Sequence, residues 1–423
     1  VSQELSDGLY SNKYALVIGI NKYSGAFHPL EYAVSDAQAI TETLQKRGFS
    51  VKTLIDEQAT KENIIRYLQR IRLIAEKDDL IIMYFSGHGH TALNAKREEQ
   101  GYLIPFGHKS AVDMEDALSM EIFKEIADTR RNNQTLFLVD ACYSGYGLKK
   151  GVSISKPDKF TSDYARKFVS LPAVQILTAG QKNEQAVEYK GFGIFTYYLL
   201  DAINGGADYE RAGLVTASDI ASYCRKKVTE ATFLKQTPQF GWLDGGGEIV
   251  FSLADNQQQA VDIDSMIQQK MYVSKLDLEK EYAEINLLNE AGKYNEAEAR
   301  LIQLSERIDD SDDDDNYKIN YELASIYSKT GKYNLGICHG NIALRQIVKK
   351  NGWDDIITAG ILTIIGNNYD GIADYDKAIE YHKKSLDIKL KILGEEHSDV
   401  AISYNNIGSA YNSKGEYDKA MEY

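Results

Sequence analysis

Three residues in the first third of the chain have the types and the spacing to do covalent chemistry. The stretch SGHGH (86–90) sets His88 and His90 among glycines, at the end of the apolar run Leu80–Met83. The stretch DACYSG (140–145), some 54 residues on from His88, carries Cys142 directly behind a second apolar run. A thiol with its ordinary pKa of about 8.5 is only a few per cent thiolate at neutral pH, and the thiolate is the nucleophile. An imidazole beside it can take the thiol proton and later return it to a leaving amine. Gly87, Gly89 and Gly145 let backbone approach a substrate, and the N–H groups of Gly89 and Cys142 are candidate oxyanion donors. His88 and His90 are both at hand as a base. Each residue alone has a plainer reading, a turn histidine or a small buried thiol. A zinc site lacks a second Cys/His cluster at ligand spacing.

The elements around these residues have to bring them together. Up to residue 254, short apolar runs alternate with helical patterns. Strands are expected at Tyr14–Ile20, Val51–Ile55, Leu80–Phe85, Leu136–Asp140, Val174–Thr178 and Glu248–Leu253. Amphipathic helices are expected at Ala33–Arg47, Lys61–Ala75 and Ala117–Thr129. Nearly continuous apolar strands separated by helices imply a mostly parallel sheet covered on both faces. Such sheets place their sites beyond the carboxyl ends of the strands, where His88 and Cys142 both fall.

Beyond Asp255 the strand pattern stops and a repeat begins. AGKYNEAEARL (291–301), TGKYNLGICHG (330–340), IADYDKAIEYH (372–382) and KGEYDKAMEY (414–423) set Tyr294, Tyr333, Tyr375 and Tyr417 about 40 residues apart. That period, with a Gly/Ala-x-Tyr turn, describes stacked helical hairpins. Ala373 replaces the glycine of the other turns. The expected domains are therefore 1–254 and 255–423. The second stops inside a hairpin, so a longer parent protein is expected.

These motifs carry resemblances. SGHGH, LVDACYSG and YALVIGINKY…SDAQAITETLQKRGF resemble the caspase and metacaspase clan of cysteine peptidases over roughly residues 10–254. The Asp-x-Cys-x-Ser-Gly context is the metacaspase form. The resemblance implies a Cys142–His88 dyad and a caspase-like α/β fold. It also implies that Asp36 and Asp140 line the pocket for the residue before the scissile bond, and there a carboxylate pair would favour Arg or Lys. The plainer readings are a helix N-cap for Asp36 and a strand-end turn for Asp140. The repeats resemble tetratricopeptide repeats of the 42-residue kinesin-light-chain type, which implies a protein partner or regulator. Bacterial caspase-like domains joined to such arrays resemble components of defence and cell-death systems. A non-catalytic scaffold with a relic fold is the alternative.

Other features bound the reading. The net charge of −14 is uneven, near −2 for residues 1–254 and near −12 for the rest, so neither part offers a basic nucleic-acid footprint. No stretch approaches the ~20 apolar residues that span a bilayer. Three widely spaced cysteines point to a reducing cytoplasm. Six basic residues in 149–167 lie where caspase relatives cut themselves. The acidic run 309–316 fails the spacing of a calcium loop, although calcium activation, common in metacaspases, stays open.

Overall fold

The structure, a computed structural model, describes residues 9–94, 97–128, 132–141, 162–181, 184, 187–189, 191–208, 213–253, 263, 278–305 and 313–423. Cys142, and with it Lys149, Lys150, Lys156 and Lys159, lies outside the described residues. The chain divides into two compact units, one of Val1–Ala92 and Gln100–Lys270, the other of Leu93–Glu99 and Met271–Tyr423.

The first unit holds the strands β1 (Lys13–Gly19), β2 (Ser50–Ile55), β3 (Leu80–Ser86), β4 (Gly89–Leu93), β5 (Glu99–Leu103), β6 (Leu118–Ser119), β7 (Gln134–Asp140), β8 (Ala173–Thr178), β9 (Glu188–Tyr189), β10 (Phe192–Gly193), β11 (Leu214–Thr216), β12 (Gln239–Gly245) and β13 (Val250–Ser252). Six form the central sheet in the order β12-β8-β7-β3-β1-β2. All neighbours are parallel except β12, which runs antiparallel to β8. LIIMYFS and QTLFLVD are buried along their whole length, as strands covered on both faces must be. Register aligns Gly19 with Ser86 and Ser86 with Asp140, so three strands end in one row. That row is the edge on which the site is built.

The sheet differs from expectation at one edge. Residues 248–253 do not supply its sixth strand; Val250–Ser252 pairs instead with β11. Glu248 explains the diversion. Its buried carboxylate accepts from the Ser218 N–H and hydroxyl at the start of helix Ala217–Ala231, and from Gln175. The sixth strand is QFGWLDG, whose apolar pattern Gly241 interrupts. The helix expected over Ala117–Thr129 starts at Glu121, because Leu118–Ser119 pairs with β5. Arg166 and Lys167, two of the basic residues of 149–167, lie in helix Ser162–Val169. Helices Ala33–Lys46 and Lys61–Ile74 stand where expected.

The second unit is helical throughout its described residues after Met271. Tyr294, Tyr333, Tyr375 and Tyr417 are each the first residue of a helix, and the turn before each contains a left-handed residue two positions upstream. Three are glycines, Gly292, Gly331 and Gly415 at φ 71°, 76° and 84°; the fourth is Ala373 at φ 62°. The helices Ile356–Gly371, Tyr375–Leu393 and Ser398–Lys414 pack through Ile361, Leu362, Ile365, Ala378, Ile388 and Ile407. Cys338 is buried in helix Tyr333–Asn351, and Cys224 in helix Ala217–Ala231 of the first unit.

Candidate active site

Asp36 sits in the first turn of helix Ala33–Lys46, whose N-cap is Tyr32, so it is not a capping residue. The helix crosses the end of β1 closely. A β-carbon on Gly19 would lie 2.5 Å from the Ala33 carbonyl oxygen. That approach brings the Asp36 carboxylate over the strand row. It accepts the Ser86 hydroxyl at 3.3 Å and the Gly193 N–H at 3.1 and 3.3 Å.

Asp140 ends β7 beside Ser86 and is buried. Its Oδ2 accepts the Thr196 hydroxyl at 2.6 Å. Thr196 has one hydroxyl proton and gives it to the carboxylate, so Tyr84 donates to Thr196 across their 2.5 Å contact. A β-carbon on Gly193 would lie 2.8 Å from Asp140 Oδ2 and 3.1 Å from Asp36 Oδ2. The two carboxylates thus converge on one point, at the N-terminus of helix Ile194–Asp201, whose positive end favours negative charge. Burial still dominates at Asp140 and raises its pKa to about 6, against the opposing Thr196 hydrogen bonds.

His88 lies two residues beyond Ser86 at the same edge, and the Gly87 N–H bonds the Asp140 carbonyl at 3.2 Å. Its Nε2 is 2.7 Å from the His28 carbonyl oxygen. A carbonyl only accepts, so Nε2 carries the proton and Nδ1 the lone pair. Burial lowers the His88 pKa, and the His28 hydrogen bond raises it in part. The ring packs against Tyr23 at 4.6 Å and Phe27 at 5.6 Å. A neutral imidazole with its basic nitrogen fixed is the state a general base requires. Gly89 follows as the first residue of β4. His90 Nε2 instead meets the Ala111 carbonyl at 3.0 Å.

Sequence reasoning identified Asp36, His88 and Asp140 as site residues but missed Ser86, Gly193, Thr196 and Tyr23. Ser86 was legible as the third residue of an alternating row with Tyr84. Gly193 and Thr196, in GFGIFT, carry no signal, because a backbone N–H and one hydroxyl recruited from 157 and 56 residues away leave no spacing to read.

The chain is similar to several known proteins. The chain is 28% identical to Metacaspase-2 of Trypanosoma brucei brucei over 146 residues, 31% of this chain and 41% of that one. It is 30% identical to Metacaspase-1 of Meyerozyma guilliermondii over 150 residues, 32% of this chain and 36% of that one. The chain thus spans about two fifths of the length of the curated relatives it matches. A Geobacter sulfurreducens protein of known crystal structure aligns at 16% identity and a TM-score of 0.40, over 59% of this chain and 97% of that one. The tetratricopeptide repeat model matches residues 358–423. The caspase domain model matches residues 12–242, more than half of the chain, and the protein therefore belongs to the caspase-domain family of peptidases.

Proposed function

We propose that this chain is a cysteine endopeptidase that cuts after Arg or Lys, with Cys142 as nucleophile and His88 as its base. The observation that carries the reading is the pair of buried carboxylates, Asp36 and Asp140, converging at the strand edge that also bears His88. A guanidinium or ammonium entering there meets two acidic groups in a low-dielectric pocket, where charge-assisted hydrogen bonds are strong. Cys142 follows Asp140 by two residues in the sequence.

In this mechanism His88 Nδ1 takes the Cys142 proton and the thiolate attacks the scissile carbonyl. The N–H groups of Gly89 and Cys142 receive the oxyanion. His88 then protonates the departing amine, and water activated by the same imidazole releases the acyl group. We place the peptidase in residues 1–254 and the repeats in 255–423. The repeats bind a protein segment or regulator and so deliver substrate or gate cleavage, in a defence or cell-death setting.

The test is turnover of fluorogenic peptides ending in Arg, Lys, Asp or Leu, with and without calcium, for the wild type, Cys142→Ala and His88→Ala. Arg and Lys peptides should be cut, and each substitution should lower kcat by at least about a thousandfold. Turnover that persists in Cys142→Ala removes the proposed nucleophile. Absence of any turnover, with candidate partners included, leaves the scaffold reading.

A further inference from the structure

The main chain of His88 is held in an arrangement that a plain β-hairpin does not produce. β4 and β5 form a hairpin closed by the Asn94 N–H to the Glu98 carbonyl at 2.8 Å. His88 immediately precedes β4 and Ile104 immediately follows β5, so the two would form the next rung. In an antiparallel rung of the hydrogen-bonded kind, two residues exchange both N–H···O=C bonds. Here only one is direct, from the Ile104 N–H to the His88 carbonyl at 3.0 Å. The other half of the rung is occupied by the Tyr23 phenol. Its oxygen accepts the His88 N–H at 3.0 Å and donates to the Ile104 carbonyl at 2.9 Å.

The chain around the phenol is fitted to this insertion. A β-carbon on Gly87 would lie 2.4 Å from the Tyr23 hydroxyl and 3.0 Å from the Phe85 ring, so the phenol is the tightest of the contacts that favour glycine there. Tyr23 is buried, and its one donor and one acceptor role are both used. The same loop contributes the His28 carbonyl to Nε2 and the Phe27 ring to the imidazole face. It is fastened in turn by the Ala26 N–H to the Lys109 carbonyl at 2.9 Å and by the Leu30 N–H to the Asn21 carbonyl at 2.9 Å.

We propose that Tyr23 is a positioning residue of the peptidase, its hydroxyl inserted into the His88–Ile104 rung to set the angle at which His88 leaves β3. The proposal rests on the reading of His88 as the catalytic base. Spreading the rung by one oxygen atom turns the His88 backbone toward the loop that carries His28, so that Nε2 meets that carbonyl and Nδ1 faces the opposite way. Without the hydroxyl, water enters the spread rung, the His88 N–H exchanges with solvent, and the imidazole loses its registration with the nucleophile. Small displacements of a base cost rate more than binding.

Tyr23→Phe tests this, since it keeps the ring and removes one oxygen. Hydrogen–deuterium exchange of the peptide spanning residues 84–90 should show one further amide losing protection, with β3 and β7 otherwise unchanged. On an Arg peptide, kcat should fall at least about tenfold with KM within twofold, the pattern of an interaction used in the transition state. Gly87→Ala should cost activity and thermal stability in the wild type, and at least threefold less activity in the Tyr23→Phe background, where the tightest contact is gone and only the Phe85 ring at 3.0 Å remains. Unchanged exchange at His88 overturns the proposal whatever the activity does. Lost protection with unchanged kcat overturns it as well. If the wild type shows no Cys142-dependent cleavage, the peptidase reading falls separately, and with it the positioning role. The exchange data then report only on the inserted hydroxyl.

Discussion

Asp140 works against the fold above neutral pH. Burial lifts its pKa from 3.8 to about 6. The folded protein therefore keeps the Asp140 proton between about pH 4 and 6, where the unfolded chain has lost it. The stabilising contribution is full below pH ~4 and is lost as pH rises through ~6, at most about 3 kcal/mol by linkage. Asp140→Asn removes that dependence, so it should raise the unfolding midpoint at pH 7.5 and leave it unchanged near pH 4, as followed by thermal denaturation. The same substitution should abolish the preference for Arg and Lys peptides, a trade between stability and activity of a familiar kind. In the wild type, kcat/KM for those peptides should fall below about pH 6, where the pocket loses a charge. A flat profile from pH 5 to 8 would count against the carboxylate pair as the basic-residue pocket.

At the scale of elements, one turn of the repeat array carries strain that its counterparts avoid. Gly292, Gly331 and Gly415 take the left-handed conformation with no atom near their missing β-carbons, so it is backbone freedom alone that selects glycine. Ala373 occupies the matching turn at φ 62° between the Asp370 carbonyl and helix Tyr375–Leu393. A left-handed alanine costs roughly 1–2 kcal/mol, and glycine gives back part of this through its freer unfolded chain. Ala373→Gly should therefore stabilise the repeats by about 0.5–1 kcal/mol, read as a higher urea midpoint with unchanged slope. Elsewhere in the array a buried ion pair joins successive hairpins. Lys332 meets Glu298 at 3.1 Å, and the Tyr327 hydroxyl donates to the same carboxylate at 2.9 Å. Such a pair seldom adds much net stability.

For the whole molecule, the charge is unevenly divided. Residues 255–423 carry a net charge near −12, against near −2 for residues 1–254. If the proposed specificity holds and the repeats attract substrate, a long basic protein should depend on salt more strongly than a short peptide. Raising salt from about 50 to 500 mM shortens the Debye length from ~14 to ~4 Å. It should lower kcat/KM for a lysine-rich protein substrate several-fold more than for a tripeptide ending in Arg. Equal salt dependence of the two substrates would remove the repeats from substrate attraction. No helix among the described residues is long and apolar enough to cross a membrane.

Sequence alone determined what periodicity and residue type encode. Apolar runs located five of the six central strands, and the spacing of Tyr294, Tyr333, Tyr375 and Tyr417 located the turns of the helical hairpins. The position of His88 just beyond β3 followed from the strand pattern, because a parallel strand and its exit loop are local facts. Tertiary structure decided the rest. The edge strand moved to Gln239–Gly245 because the buried Glu248 is claimed by a helix N-terminus and Gln175. Gly193, Thr196 and Tyr23 entered the site through one N–H, one hydroxyl and one inserted phenol, each contributed from far away in the chain. Contacts of that kind depend on where folded backbones pass, and no local pattern of residues records it.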